Sequence, residues 1–171
     1  MGNLSLDTVA FDDGRLLAVA PVVLPAEARM NLLQDLCANP LEEFVLLVRW
    51  ESVASWRHAA LAAQRAVRAF RASKRLGKTL ATEFAVCLAG VRQVSEALRI
   101  LKPVGRMCTV VGLLRDLDIL KERLEEIEAV RTDYPDPEET ISLLGYSGRC
   151  SCSGRGEALA MEASVRVELE R

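Results

Sequence analysis

The stretch from Val53 to Leu101 constrains the fold most. Its apolar residues fall three and four apart, and the pattern is interrupted only where helix breakers gather. Trp56, Ala59, Ala60, Ala63, Val67 and Phe70 form one stripe, which predicts a helix over about Val53 to Ala72. Ser73 to Gly77 breaks it. A second helix is expected from about Leu80, with Leu80, Phe84, Ala85 and Leu88 inward and Gly90 at the left-handed position that ends it. A third starts near Arg92, turns Val94, Ala97, Leu98 and Leu101 inward, and stops at Pro103 and Gly105.

Two short continuous apolar runs flank this helical block. Phe44 to Val48 and Met107 to Gly112 have the pattern of strands buried on both faces. Two weaker strands are expected around the Asp12-Asp13-Gly14-Arg15 turn. Pro25 opens a helix expected to reach Cys37. Another helix is expected from about Leu114 to Arg131, with Leu117, Leu120, Leu124 and Ile127 on one side, and Pro137 opens a short one to Leu144. Gly145 to Gly156 reads as a Gly/Ser-rich loop, and the tail as a helix followed by an alternating edge strand, Val165 to Leu169. The chain has 171 residues, 50% hydrophobic but only 5% aromatic, which supplies a core without favouring a strand-heavy sandwich or barrel. The sum is a mixed α/β (α+β) fold. It forms one domain over residues 1–171, with a small central sheet of four or five strands packed with about six helices.

Several chemistries are hard to build from these residues. His58 is the single histidine, which removes any two-histidine metal site. Cys37, Cys87 and Cys108 sit in apolar periodic stretches and read as small buried hydrophobes. Cys150-Ser151-Cys152 lacks the further ligands that a closed zinc site needs. No Ser–His–Asp order or paired-carboxylate setting stands out, so no catalytic residue, metal or cofactor is expected. Ala72-Ser73-Lys74-Arg75-Leu76-Gly77-Lys78-Thr79 is a near-miss for a phosphate-binding loop. Ala72 stands where the first Gly belongs, and a helix rather than a strand precedes it. Met1 to Asp7 lacks the basic stretch of a secretory signal and Leu6 breaks the myristoylation pattern. Leu16 to Leu24 is too short to span a bilayer and contains Pro21. A soluble, cytoplasmic protein is expected.

Charge is segregated. Seven basic residues lie between Arg57 and Lys78 with no acid among them: Arg57, Arg65, Arg68, Arg71, Lys74, Arg75 and Lys78. From Asp116 to Glu139 ten acids face only Lys121, Arg123 and Arg131. A net charge of -2 therefore conceals one basic and one acidic surface. The basic run is either a solvated helix face or a contact for a phosphate backbone, where each neutralised phosphate adds affinity by counterion release. Aromatic residues do not interleave with it, which argues against a broad stacking platform.

From Val53 to Leu114 the residues resemble a known family. Val53-Ala54-Ser55-Trp56-Arg57-His58, Ala66 to Phe70, Leu80-Ala81-Thr82-Glu83-Phe84 and Leu88-Ala89-Gly90-Val91-Arg92-Gln93-Val94-Ser95-Glu96-Ala97-Leu98 carry the likeness, which ends at Val110-Val111-Gly112. This segment is similar to the small accessory subunit of the KEOPS complex, the PRPK-binding-protein family, in its archaeal form. It covers over a third of the chain. The tail from Met161 to Leu169 resembles the family's closing strand less closely. The likeness implies a non-catalytic subunit that binds and supports the complex's kinase/ATPase subunit. It further implies recruitment of tRNA by its single-stranded 3′ CCA end, for threonylcarbamoyladenosine modification by the complex. On that reading Arg57, Arg68, Arg71, Lys74, Arg75 and Lys78 contact phosphates, and Arg92 and Gln93 contact sugar or base edges. The bland alternative makes Gln93 a helix cap and pairs Arg92 with Glu83 or Glu96. Glu83 reads as structural, and the helices from Leu80 to Leu101 are the expected kinase-binding face. Self-association of the isolated chain stays open. The rival function is an enzyme or nucleotide-binding protein for small phosphorylated ligands using the Ala72–Thr79 loop. A third reading is a protein-binding adaptor with a solvated basic face.

Overall fold

The computed structural model describes residues 4–25, 36, 39–145 and 156–169. Apart from Pro25 and Leu36, the helix expected from Pro25 to Cys37 lies outside the described residues, as do residues 146–155 with Cys150 and Cys152.

Among the described residues five strands form one antiparallel sheet: β1 (Asp7–Ala10), β2 (Leu16–Val23), β3 (Phe44–Arg49), β4 (Met107–Leu114) and β5 (Val130–Arg131). Their order is β1-β2-β4-β3, and β5 pairs with β2 at Val22 and Val23, on the side that β1 occupies further along. Pro21 is tolerated inside the central β2 because its free side faces the gap between β1 and β5. There its carbonyl accepts the Thr132 N–H at 2.9 Å, so no ladder bond is lost for want of an N–H.

Among the described residues six α-helices pack around the sheet: α1 (Trp56–Arg71), α2 (Leu80–Ala89), α3 (Val94–Leu101), α4 (Asp118–Glu126), α5 (Pro137–Leu143) and α6 (Gly156–Leu169). Alternation along the strands divides the core. Leu17, Val19, Val111 and Leu113 point toward α1, α2 and α3, where the Phe44 and Phe84 rings stack with centroids 4.7 Å apart. Ala18, Ala20, Val22, Cys108 and Val110 point the other way, toward Leu117, Leu120, Leu124 and Ile127 on and around α4. Gly112 leaves room there: a Cβ on it would lie 3.0 Å from Leu120 Cδ2. No helix among the described residues is long and apolar enough to cross a membrane.

Several expectations need correction. Val165 to Leu169 is helical, the end of α6. Its five-residue alternation is overruled by the good helix formers from Glu157 to Ala163 and the lack of any breaker after them. The helix expected over Leu114 to Arg131 is shorter, because β4 runs on to Leu114 and Glu128 takes a left-handed φ of 54° before β5. Val45, Leu46 and Leu47 are only half-buried, since β3 is an edge strand. Trp56 and Leu98, expected inward, are 37% and 46% exposed. Leu98 sits one residue off the buried row of α3, Ala97 and Leu101, whereas Trp56 shares the face of Ala59, Ala60 and Ala63 but is the first residue of α1, at the open end of that row.

Candidate nucleic-acid interface

Helix α1 separates its two faces by residue size and charge. Ala59, Ala62, Ala63, Ala66 and Ala69 are buried and let α2 and the sheet approach closely. Arg57, Gln64, Arg68 and Arg71 share the opposite, exposed face. Fourteen steps of 1.5 Å place Arg57 and Arg71 about 21 Å apart along the axis. The basic run continues past the helix into exposed Lys74, Arg75 and Lys78. Burial, with a smaller part from the neighbouring Arg68 charge, holds the Arg65 pKa below its usual value.

The end of α1 is closed by backbone geometry. The Ser73 N–H donates to the Phe70 carbonyl at 3.2 Å and the Lys74 N–H to the Ala69 carbonyl at 2.9 Å, with Ser73 at φ 54°. This is a Schellman closure with serine in the usual glycine position. Arg68 and Arg71 lie in the last turn, where the helix dipole favours cations.

The following loop is built around Glu83. This residue is fully buried, and its Oε2 accepts the N–H groups of Leu76 and Gly77, each at 2.7 Å. Thr79 and Thr82 cap α2 reciprocally. Gly77 is required: a Cβ there would lie 2.5 Å from the Glu83 N and from Thr82 Oγ1. In a phosphate-binding loop such inward amides point at the ligand. Here two of them already hold the chain's own carboxyl group, and Thr79 is committed to its cap. The geometry therefore does not favour the Ala72–Thr79 loop as a phosphate cradle.

The remaining predicted residues lie at the other end of the α1–α2 hairpin. Gly90, at φ 67°, ends α2, and exposed Arg92 and Gln93 lead into α3. Gln93 occupies the N-cap position of α3 but its side chain makes no cap bond. Among the described residues Arg92 forms no hydrogen bond or ion pair, so neither Glu83 nor Glu96 holds it. His58 joins the two helices at this end. It is fully buried, its Nδ1 accepts the Ala54 N–H at 3.4 Å, and burial pushes its pKa down to about 4, with the nearby Leu88 carbonyl offsetting a part. His58 Nε2 has no partner in hydrogen-bond geometry among the described residues.

The site residues thus form two groups, Arg68, Arg71, Lys74, Arg75 and Lys78 at one end and Arg57, Arg92 and Gln93 at the other. Acids from other elements reach both. Asp13 binds Arg71 at 2.6 Å, and Glu157 of α6 lies 4.0 Å from Arg57. Arg57 also lies over the Trp56 ring at 5.0 Å and Arg75 over Phe70 at 4.8 Å. Two clefts of about 490 and 430 Å³ flank Arg71, one with Gln64, Arg68 and Phe11, the other with Arg75, Arg15 and Arg115. Sequence reasoning missed Asp13, Arg15 and Arg115, because only the fold brings the β1–β2 turn and the end of β4 beside α1. As a kinase-binding face, the expected Leu80 to Leu101 segment is only half available: eight of the ten α2 residues are buried, which leaves the outer side of α3. No group of three or more His, Cys, Asp or Glu side chains placed to hold a metal occurs among the described residues. The sequence matches no protein-family model and no curated protein.

Proposed function

We propose that this chain is a non-catalytic cytoplasmic subunit similar to the small accessory subunit of KEOPS. It binds and supports a kinase/ATPase partner through the outer side of α3, and it recruits tRNA by the 3′ CCA end along the basic face of α1. The observation that carries this reading is the exposed, single-signed row of Arg57, Arg68 and Arg71, continued by Lys74, Arg75 and Lys78. Five of the seven basic residues from 57 to 78 are arginine, whose planar fork binds phosphate bidentately. Polar Arg92 and Gln93 at the far end suit the edges of a splayed single-stranded terminus.

The test is a mobility shift at low salt, with purified protein and its own organism's tRNA, intact or trimmed of the CCA end. Only intact tRNA should bind, and Lys78→Ala should weaken it without any nucleotide turnover to lose. Absence of binding by either tRNA at low salt, where phosphate contacts are strongest, would leave the adaptor reading.

A further inference from the structure

Of the two acids named against the basic face, Asp13 is built in. Asp13 accepts from Arg15 three times, from its backbone N–H at 3.2 Å, its Nε at 3.0 Å and its Nη2 at 2.5 Å. Arg15 is itself buried, and its Nη1 donates to the Glu42 carbonyl. This clamp fixes the Asp13 carboxylate at the edge of the 430 Å³ cleft. The Arg71 Nη2 reaches the same Oδ2 at 2.6 Å from an exposed side chain. The two arginines are therefore not equivalent partners. Arg15 cannot leave without stranding a buried cation, whereas Arg71 can swing away and Asp13 stays satisfied by Arg15.

We propose that Asp13 is a specificity-determining residue of the basic face, an internal carboxylate that competes with one nucleic-acid phosphate for Arg71. The inference rests on the function proposed above and adds to it. Arg71 adds to RNA affinity only after exchanging Asp13 for a phosphate. That exchange breaks a surface ion pair, a small barrier that a well-placed phosphate overcomes and a loosely placed one does not. Arg71 thus rewards a strand held in register by the other cations more than a polyanion that drifts across the face.

The experiment is tRNA binding against salt concentration for wild type, Asp13→Asn, Arg71→Gln and the double variant. Asp13→Asn should bind about two- to fivefold tighter at low salt, the scale of a released surface pair. Its log–log salt slope should steepen by up to about 0.7, one more single-strand phosphate. In the Arg71→Gln background Asp13→Asn should change nothing. A second measurement does not require the Asp13 variant to fold: Arg71→Gln should lower the wild-type slope by less than Lys78→Gln, which loses a cation with no internal competitor among the described residues. Unchanged affinity in Asp13→Asn, an equal gain in the Arg71→Gln background, or equal slope losses for the two single variants would overturn the proposal while leaving the function standing. If wild type and Asp13→Asn both fail to bind at low salt, the function falls and this inference with it.

Discussion

His58 shows how a single buried residue can set the pH response of the molecule. Buried neutral, it titrates at about 4 in the fold against an ordinary 6.5 when exposed. Between those values the unfolded chain takes up a proton that the folded one refuses, so stability is full above pH 6.5 and falls as pH drops toward 4. The interval of 2.5 units corresponds to roughly 3 kcal/mol at the acid limit. Asp13 also has a lowered pKa, through hydrogen bonds from Arg15, but its contribution is lost only below its ordinary 3.8. His58→Gln should therefore flatten urea-unfolding stability between pH 6.5 and 4.5, and a wild-type slope retained in the variant would refute the assignment. Glu83 makes the complementary case. Its removal in Glu83→Ala strands the Leu76 and Gly77 amides, a loss expected to be roughly 2–4 kcal/mol by chemical unfolding. Glu83→Gln keeps an acceptor and should lose less. The sequence marked Glu83 as structural from its place on a buried face, but not which amides it holds, because the loop geometry comes from Gly77 pressing on α2.

Elements were legible where a long apolar period met a strong stop signal. Gly90 ends α2 at φ 67° as its type predicts, and Leu117, Leu120, Leu124 and Ile127 all face the core. Short alternation was the weak signal: Val165 to Leu169 satisfied a strand pattern while belonging to a helix. Periodicity also assigned Trp56 and Leu98 to the core, because a stripe in sequence does not reveal how far the neighbouring layer extends over it. The charged face was legible through its single sign, whereas its division into two ends depends on α2 folding back along α1. The Schellman closure at Ser73 carries the element-scale prediction. A non-glycine residue at φ 54° is strained by about 1 kcal/mol, and nothing in the closure uses the serine side chain. Ser73→Gly should raise stability by up to about that amount in urea unfolding, with the basic face unchanged in tRNA binding. Ser73→Val, β-branched at the same φ, should lower it.

At the scale of the molecule the sheet separates the charges. Helix α1 packs on one face and α4 on the other, so exposed Arg57, Arg68 and Arg71 look away from exposed Asp118, Glu122, Glu125 and Glu126. The net charge of -2 therefore says little about what either side attracts. An approaching polyanion is drawn to the α1 side and repelled from the α4 side, which orients the encounter before any contact forms. The two basic groups at opposite ends of α1, about 21 Å apart, set a further condition. A single strand lying along the whole face touches both, so losing a cation at either end should remove about one phosphate contact. Lys78→Gln and Arg92→Gln should each lower the log–log salt slope of tRNA binding by about 0.7, and the pair by about twice that. Arg123→Gln, on the α4 side, should leave the slope unchanged. If Lys78→Gln lowers the slope and Arg92→Gln does not, the strand engages only the end where α1 meets its loop. Arg92 and Gln93 would then owe their exposure to the turn that starts α3, and the tRNA terminus would have to be sought beside Arg68, Arg71 and Arg75.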